Sequence, residues 1–397
     1  MTTMTVASAV LPTYSRASLA FIRGAGSWLE AEDGSRYLDL GAGIAVNALG
    51  HAHPDLVRAL ADQSARLWHV SNLYRIPEQE HLADMLAERT FAETVFFTNS
   101  GTEAAELAIK MARKHHSDAG HPERVEIITI EGAFHGRSTG AIAAAGSEKM
   151  IKGFGPLMPG FRQIAWGDHD GLRAAITDQT CAVMLEPLQG EGGIRSVPDQ
   201  CLKGLRDLCD ATGTLLILDE VQCGMGRTGK LFAHEWSGII PDIMMVAKGI
   251  GGGFPLGAVL ATRHAASGMV LGTHGSTYGG NPLACAVGAA VLGIIGEDAF
   301  LADVSRKGAR FRQGLEGLVA AHPAVFEAVR GQGLMLGLKC RKPNADIVKA
   351  AYAQHLLTVP AADNVIRLLP ALNIPDDDIA EALARLDRAA SSLAPVN

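Results

Sequence analysis

The chain has 397 residues, of which 48% are hydrophobic and 19% are charged, and its formal net charge is −7. A chain of this length and apolar content can bury a large core in about two or three domains. The mild negative charge and the lack of a basic cluster argue against a nucleic-acid-binding protein.

Cysteine usage and the N-terminus indicate a cellular compartment. The six Cys residues are scattered and form no C-x-x-C motif, so neither a zinc site nor a redox pair is indicated. The N-terminus lacks the positive region of a secretory signal. The longest small-apolar stretch, 284–295, is shorter than the roughly 20 residues of a membrane span. We expect a cytoplasmic protein that binds no metal, membrane or nucleic acid.

The predicted elements divide the chain into three parts. Residues 1–50 are expected to form an arm and a small antiparallel unit, with strands at 28–30 and 37–40 around a turn. Residues 51–290 alternate apolar strands with helical patterns, which indicates βαβ units, a mostly parallel central sheet and thus a large α/β domain. Residues 291–397 are expected to form a smaller α+β domain. The predicted strands of the two domains lie at 94–97, 125–130, 182–185, 215–218, 243–246, 334–338 and 365–369, and the predicted helices lie at 102–115, at 299–322 and after Pro375.

Two predicted strands end in residues that suit one cofactor. Lys248 follows the apolar run 243–247 and precedes a Gly-rich stretch, and Asp219 ends the apolar run 215–218. Pyridoxal 5'-phosphate (PLP) forms a Schiff base with a lysine amine, and its ring nitrogen requires an acidic partner. A solvated lysine and a solvated loop acid are the alternative interpretation of each residue alone.

Other short segments are candidates for binding anions. Gly101 and Thr102 lie between a strand and a helix, where free N–H groups suit a phosphate, although Ser100 also fits an ordinary helix cap. Phe134 can stack on a flat ring, and Arg137 can bind a carboxylate. Arg367 lies inside an apolar strand, where a guanidinium requires a partner such as a substrate carboxylate or Glu191.

The segment 224–229 matches the G-x-G-x-x-G pattern of dinucleotide-binding proteins. Five residues separate the preceding strand from the first Gly, and no helical pattern follows the last. The context that this motif requires is therefore missing, and a nicotinamide-dependent dehydrogenase is disfavoured.

Taken together, the motifs resemble the class III (omega) aminotransferases, which have the PLP-dependent aspartate aminotransferase fold (fold type I). The residue sequences at 43–51 and 273–280 are similar to the corresponding motifs of the acetylornithine aminotransferase subgroup. The resemblance extends over residues 28–370 and rests on an ordered set of runs, namely 100–104, 134–137, 186–193, 218–222, 247–249 and 275–282.

The resemblance implies roles around the cofactor. Lys248 would bond to PLP and then move protons, and Asp219 would hold the pyridinium proton. Phe134 would stack on the ring, and Gln222 would lie near the ring hydroxyl. The phosphate would be bound by Gly101 and Thr102 and by Thr277 of a neighbouring subunit, so a homodimer with active sites at the interface is implied. Glu220 and Val221, within the same run as Asp219, are also expected at the cofactor.

The resemblance also implies how substrates bind. Ser276 and Arg137 would contact substrate, with Arg137 on a carboxylate. Arg367 would take the carboxylate of the keto acid, and Glu191 would pair with Arg367 until that acid arrives. Ornithine aminotransferases carry a tyrosine in the segment aligned to Ile44, and an apolar residue there favours an acylated nitrogen over a free amine.

The expected activity is transfer of the terminal amino group of N2-acetyl-L-ornithine to 2-oxoglutarate, giving N-acetyl-L-glutamate 5-semialdehyde and L-glutamate in arginine biosynthesis. Succinylornithine and N-succinyl-diaminopimelate are alternative donors, since an acyl pocket discriminates poorly over a few methylenes. A PLP-dependent aminomutase, which needs no added keto acid, and a catalytically inactive PLP-binding protein are the further alternatives.

Overall fold

The computed structural model describes residues 9–393 of the chain. Its strands are β1 (Phe21–Ala25), β2 (Trp28–Ala31), β3 (Arg36–Asp39), β4 (Thr94–Thr98), β5 (Glu126–Ile130), β6 (Phe161–Ile164), β7 (Thr180–Leu185), β8 (Leu188–Gln189), β9 (Arg195–Ser196), β10 (Leu215–Asp219), β11 (Ile243–Val246), β12 (Gly257–Ala261), β13 (Phe326–Gln332), β14 (Met335–Cys340), β15 (Leu356–Leu357), β16 (Val359–Ala361) and β17 (Val365–Leu368).

The helices alternate with these strands over most of the chain. They are α1 (Ala42–Ala45), α2 (Pro54–Ser64), α3 (Pro77–Arg89), α4 (Gly101–Asp118), α5 (Thr139–Ala145), α6 (Glu148–Ile151), α7 (His169–Ala175), α8 (Asp199–Thr212), α9 (Pro282–Ile295), α10 (Asp298–Ala321), α11 (Asn344–Ala353) and α12 (Asp376–Ser391). Two short 3₁₀ helices, Ala233–Trp236 and Lys248–Gly251, complete the set.

The central sheet has seven strands in the order β4-β12-β11-β10-β7-β5-β6. Neighbouring strands are parallel in the part of the sheet that contains β11, β10, β7, β5 and β6. Strand β12 runs antiparallel to both of its neighbours, β11 and β4. Strands β7, β10, β11 and β12 are buried along their whole length, as expected for a sheet covered on both faces. The prediction of an α/β fold with a mostly parallel sheet is confirmed.

Three smaller sheets accompany the central one, and the smallest consists of β8 and β9 alone. Strands β1, β2 and β3 form the antiparallel unit predicted near the N-terminus, and β15 from the C-terminal part adds to it in parallel. Strands β13, β14, β17 and β16 form an antiparallel sheet, against which α10 packs. The boundary expected at 290/291 falls within α9, so one helix runs across it.

Helix α9 is apolar on nearly every face and lies against α2 and α3. The fully buried Val291, Leu292 and Ile295 belong to the largest core cluster. An all-apolar helix of 14 residues is stable only when other elements surround it. No single helix among the described residues is long and apolar enough to cross a membrane, although α9 and α10 together meet that test with a 70° bend between them.

Candidate active site

The carboxyl ends of five strands meet at one edge of the central sheet, where α/β proteins bind their ligands. Strands β4, β5, β7, β10 and β11 all run in the same direction, so the segments that follow them lie together. They enclose a cavity of about 300 Å³, the cofactor cavity. Its lining includes Asn99, Gly101, Thr102, Phe134, His135, Glu186, Asp219, Val221, Gln222 and Lys248.

Asp219 is the last residue of β10 and is 3% exposed. His135 Nδ1 donates a hydrogen bond to Asp219 Oδ2 over 2.8 Å, and the N–H of Val221 donates to Asp219 Oδ1 over 3.0 Å. Burial opposes the charged form of His135, but the hydrogen bond to Asp219 and the charges of Asp219 and Glu186 outweigh it, so the pKa of His135 is raised. Two hydrogen bonds thus hold the Asp219 side chain in place at the cavity.

Glu186 follows β7 directly, and β7 is the neighbour of β10. Burial, and then the negative charge of Asp219, raise the pKa of Glu186 to about 7. Its two carboxyl oxygens accept hydrogen bonds from the N–H groups of Phe134 (2.9 Å) and Gly190 (3.1 Å). One buried side chain therefore joins the loop that carries Phe134 to the turn that carries Glu191.

Lys248 begins the 3₁₀ helix after β11 and lines the same cavity as Asp219. Its φ is +50°, a left-handed conformation that costs a non-Gly residue roughly 1–3 kcal/mol and is concentrated at functional sites. Burial, and then the positive charge of Arg367, lower the pKa of Lys248. A lysine with a lowered pKa has a larger uncharged fraction, which is the nucleophilic form.

The N-terminus of α4 points free amides at the cavity. Ser100 caps this helix by accepting a hydrogen bond from the N–H of Glu103 over 3.2 Å. In the part of the chain that the structure describes, the N–H groups of Gly101 and Thr102 donate to no protein group. Gly136 closes the cavity wall, since a Cβ there would lie 2.7 Å from Thr102 Oγ1. Free amides at a helix N-terminus bind an anion such as phosphate.

These groups fit PLP. The cavity offers a lysine amine, a buried carboxylate, the Phe134 ring and two unpaired amides, which are the partners that the aldehyde, ring nitrogen, ring face and phosphate require. Among the described residues, no group of His, Cys, Asp or Glu side chains could hold a metal ion.

Arg367 lies in the middle of β17 with a side chain only 2% exposed. Its Nη1 donates to Glu191 Oε1 over 2.6 Å and to Gln222 Oε1 over 3.1 Å, and its Nη2 donates to the carbonyl of Pro360 over 3.2 Å. The Glu191 side chain is 37% exposed. The predicted contact between Arg367 and Glu191 is therefore present, and Gln222 connects it to the cofactor cavity.

Arg137 is exposed and lies beside the cofactor cavity, next to its lining residues Phe134 and Thr102. Its guanidinium carbon lies 5.4 Å from the centre of the Phe134 ring, and its backbone N–H donates to Thr102 Oγ1 over 3.3 Å. Its side chain forms no ion pair with any other described residue. A free guanidinium next to the cavity is suited to a ligand carboxylate.

Six predicted residues do not line the cofactor cavity, namely Arg137, Glu191, Arg367, Ser276, Thr277 and Glu220. The first three lie beside it as described above. Ser276 and Thr277 line a separate surface depression, which Asn99 connects to the cofactor cavity through its Nδ2 at 3.5 Å from Ser276 Oγ. Glu220 faces the opposite side of β10, where its carboxylate accepts hydrogen bonds from the N–H groups of Ala233 and His234. The structure therefore does not place Glu220 at the cofactor, because consecutive residues of an extended chain point to opposite faces.

Sequence reasoning assigned no role to His135, Glu186 or Asn99, although all three line the cavity. Glu186 carried a usable signal, because it is an acid directly after an apolar strand, like Asp219. His135 carried none, since its contact with Asp219 depends on how the strands are ordered. Ile44 does not line the cavity, and Val46 does.

Comparisons with known proteins agree with this geometry. The family model described as aminotransferase class III matches residues 11–390. The chain is 70% identical over 386 residues to the acetylornithine aminotransferase of Rhodobacter capsulatus, covering 97% of this chain and 98% of that protein. It is 59% identical over 387 residues to the protein of the same name from Mesorhizobium japonicum, covering 98% and 97%.

Solved structures of aminotransferases superpose closely on this chain. The N-acetylornithine aminotransferase of Stenotrophomonas maltophilia K279a superposes with a TM-score of 0.85 at 41% identity, covering 96% of this chain and 97% of that one. The ornithine aminotransferase of Toxoplasma gondii ME49 gives a TM-score of 0.93 at 30% identity, covering 97% and 93%. The chain belongs to the class III aminotransferases, which are PLP-dependent enzymes.

Proposed function

We propose that this protein is an acetylornithine aminotransferase. It transfers the terminal amino group of N2-acetyl-L-ornithine to 2-oxoglutarate and produces N-acetyl-L-glutamate 5-semialdehyde and L-glutamate, a reaction of arginine biosynthesis. The observation that carries the proposal is the free Arg137 guanidinium beside a cavity that holds Lys248 and Asp219. The relatives that match almost the whole chain carry the name of this activity.

Lys248 is the catalytic amine of the proposed reaction. Its Nζ would hold PLP covalently, and the amine, once free, would carry the proton between the two carbons that flank the substrate nitrogen. The lowered pKa of Lys248 helps both roles, because the uncharged amine is both nucleophile and base. Bound PLP supplies a ring that withdraws electrons from the carbon next to the reacting nitrogen.

The Asp219 carboxylate would accept the proton of the cofactor's ring nitrogen. His135, whose pKa is raised, donates the 2.8 Å hydrogen bond that holds the Asp219 carboxylate in position. Gly101 and Thr102 would donate their free N–H groups to the phosphate, Phe134 would pack on the ring, and Gln222 would serve the ring hydroxyl.

The two arginines divide the work of substrate binding. Arg137 and Ser276 bind the donor, with Arg137 on its carboxylate. Glu191 neutralises Arg367 while the donor reacts, and 2-oxoglutarate then displaces Glu191 and binds Arg367 through its own carboxylate. An exposed Glu191 beside a buried Arg367 suits such an exchange, because the departing carboxylate can be solvated.

We further propose a cytoplasmic homodimer with its active sites at the subunit interface. The surface around Thr277 exposes large apolar side chains, including Leu73 (88% exposed), Leu271 (103%) and Tyr278 (62%). A monomer seldom leaves such a patch uncovered. Thr277 lies outside the cofactor cavity of its own chain, as expected if it completes the phosphate site of the partner. All six cysteines are free, which suits a reducing compartment.

A panel of amino donors at fixed 2-oxoglutarate tests the activity. N2-acetyl-L-ornithine should give the highest kcat/KM, and glutamate should form in equal amount to the semialdehyde. Turnover of a donor without any 2-oxo acid would instead identify an aminomutase. Equal or better use of free ornithine would contradict the proposal. The oligomeric state follows from light scattering of the wild type and of Leu271→Asp, which should dissociate.

A further inference from the structure

A second cavity, of about 350 Å³, adjoins Arg137. We call it the outer cavity. It lies between the N-terminal segment and the α5–α6 region. Its lining consists of Thr13, Tyr14, Arg137, Thr139, Ile142, Met150 and Phe154.

Arg137 lies between the two cavities. On one side its guanidinium covers the Phe134 ring and its N–H is bonded to Thr102, and both of these residues line the cofactor cavity. On the other side it is part of the wall of the outer cavity. A donor that extends from Lys248 and is held by Arg137 at its carboxylate therefore places the groups next to that carboxylate at the mouth of the outer cavity.

The charge on the described lining of the outer cavity is positive. Among the described residues, Arg137 is the only charged side chain in its lining, and the other groups are three hydroxyl-bearing and three apolar side chains. Two of the aromatic side chains are exposed to an unusual degree, Tyr14 at 77% and Phe154 at 64%. Exposed aromatic groups around a concave surface are typical of a binding site.

We propose that the outer cavity binds a short, uncharged N-acyl group of the amino donor, and that Phe154 and Met150 select for it. The inference rests on the proposed function, because it assumes that Arg137 holds the donor carboxylate. In an N2-acyl amino acid the acyl nitrogen and the carboxylate are attached to the same carbon. The acyl group must therefore lie within a few bond lengths of Arg137.

The absence of a carboxylate among the lining residues gives the cavity its selectivity. A free α-ammonium group at this position would lose water, gain no anionic partner and be repelled by Arg137. An acetylated nitrogen is neutral, and its methyl group packs against Phe154, Met150 and Ile142. A succinyl group brings a second carboxylate, for which the lining offers no second cation, so acetyl is preferred over succinyl.

The test is the ratio of kcat/KM values for three donors, N2-acetylornithine, N2-succinylornithine and ornithine, at fixed 2-oxoglutarate. In the wild type the order should be acetyl, then succinyl, then free ornithine. Phe154→Asp places an anion in the cavity and should lower the acetylornithine-to-ornithine ratio by at least about tenfold. Phe154→Arg supplies a cation and should raise the succinyl-to-acetyl ratio several-fold, while ornithine falls further.

Phe154 is exposed, so its replacement should not unfold the chain. Leu157→Ala is the matched control, because Leu157 is an exposed apolar residue of the same loop that does not line the outer cavity, and its donor ratios should equal those of the wild type. Equal changes for all three donors in both Phe154 variants would overturn the inference and leave the proposed function standing. A wild type that does not use N2-acetylornithine would overturn the proposed function itself.

Discussion

The two arginines at the ends of the proposed substrate site differ in exposure and in the partners that they already have. Arg367 is 2% exposed and already bonded to Glu191, Gln222 and a backbone carbonyl. Arg137 is exposed, and its guanidinium lies over the Phe134 ring without an ion pair to any described residue. A buried, paired arginine binds a new anion only by exchanging partners, whereas a free one binds it directly.

The difference assigns a separate task to each end. Under the proposed function, the Arg367 end has two states, paired with Glu191 or bound to a diacid, so it can accept a donor without a second carboxylate and then a keto acid that has one. The Arg137 end has one state and serves both substrates, because it binds the donor carboxylate in one half-reaction and the second carboxylate of 2-oxoglutarate in the other. Mutations at the two ends should therefore separate the half-reactions in different ways.

Replacement of the lysine that both ends share has the largest expected effect. Lys248→Ala should lower kcat for both half-reactions by at least about 10³-fold, because both nucleophile and proton carrier are lost. Wild type reduced with borohydride should retain the cofactor after denaturation, and the variant should not. A reducible link that persists in Lys248→Ala would show that another amine holds PLP.

Arg367→Ala should affect the two half-reactions unequally. We expect kcat/KM for 2-oxoglutarate to fall by about 10²- to 10³-fold, since the loss of one partner of a buried charged contact costs 2–5 kcal/mol. The half-reaction with N2-acetylornithine should change by less than about tenfold. Single-turnover kinetics with each substrate measure the two effects, and equal losses would remove the distinction between the two ends.

Arg137→Ala should instead reduce both half-reactions to a similar degree, by about 10- to 100-fold, because an exposed charged hydrogen bond contributes less than a buried one. Arg137→Lys retains the charge without the planar fork and should recover part of the loss. A loss of activity with only one substrate would indicate that the other substrate does not contact Arg137.

Glu186→Gln has the smallest expected effect, which is a change in how the stability of the protein depends on pH. The pKa of Glu186 is raised to about 7 in the folded chain, so the unfolded state loses this proton first as pH rises. The contribution of Glu186 to stability is therefore favourable below the ordinary glutamate pKa and is lost between that value and about pH 7. Thermal midpoints of the cofactor-free protein should fall more steeply over this interval in wild type than in Glu186→Gln; parallel curves would contradict the assignment.

The most informative signal in the sequence was a charged residue at the end of an apolar strand. Lys248 and Asp219 were found because each ends an apolar run, and both line one cavity. Glu220 was expected at the cofactor because it belongs to the same run as Asp219, but it does not line that cavity, since adjacent residues of an extended chain point to opposite faces. No role was predicted for Glu186, although that residue also follows a buried strand. Strand β12 escaped prediction and proved to be the one reversed strand of the central sheet.

The sequence by itself determined the local elements and which of them end in reactive groups, because apolar periodicity and Gly placement act over a few residues. Only the tertiary structure decided that His135 meets Asp219 across 84 positions. The contact between Arg367 and Glu191, 176 positions apart, was expected from the family resemblance and from the cost of an unpaired buried guanidinium, not from a local pattern. Such contacts depend on strand order and register, which are fixed when distant apolar surfaces pack together, and no local pattern records that choice.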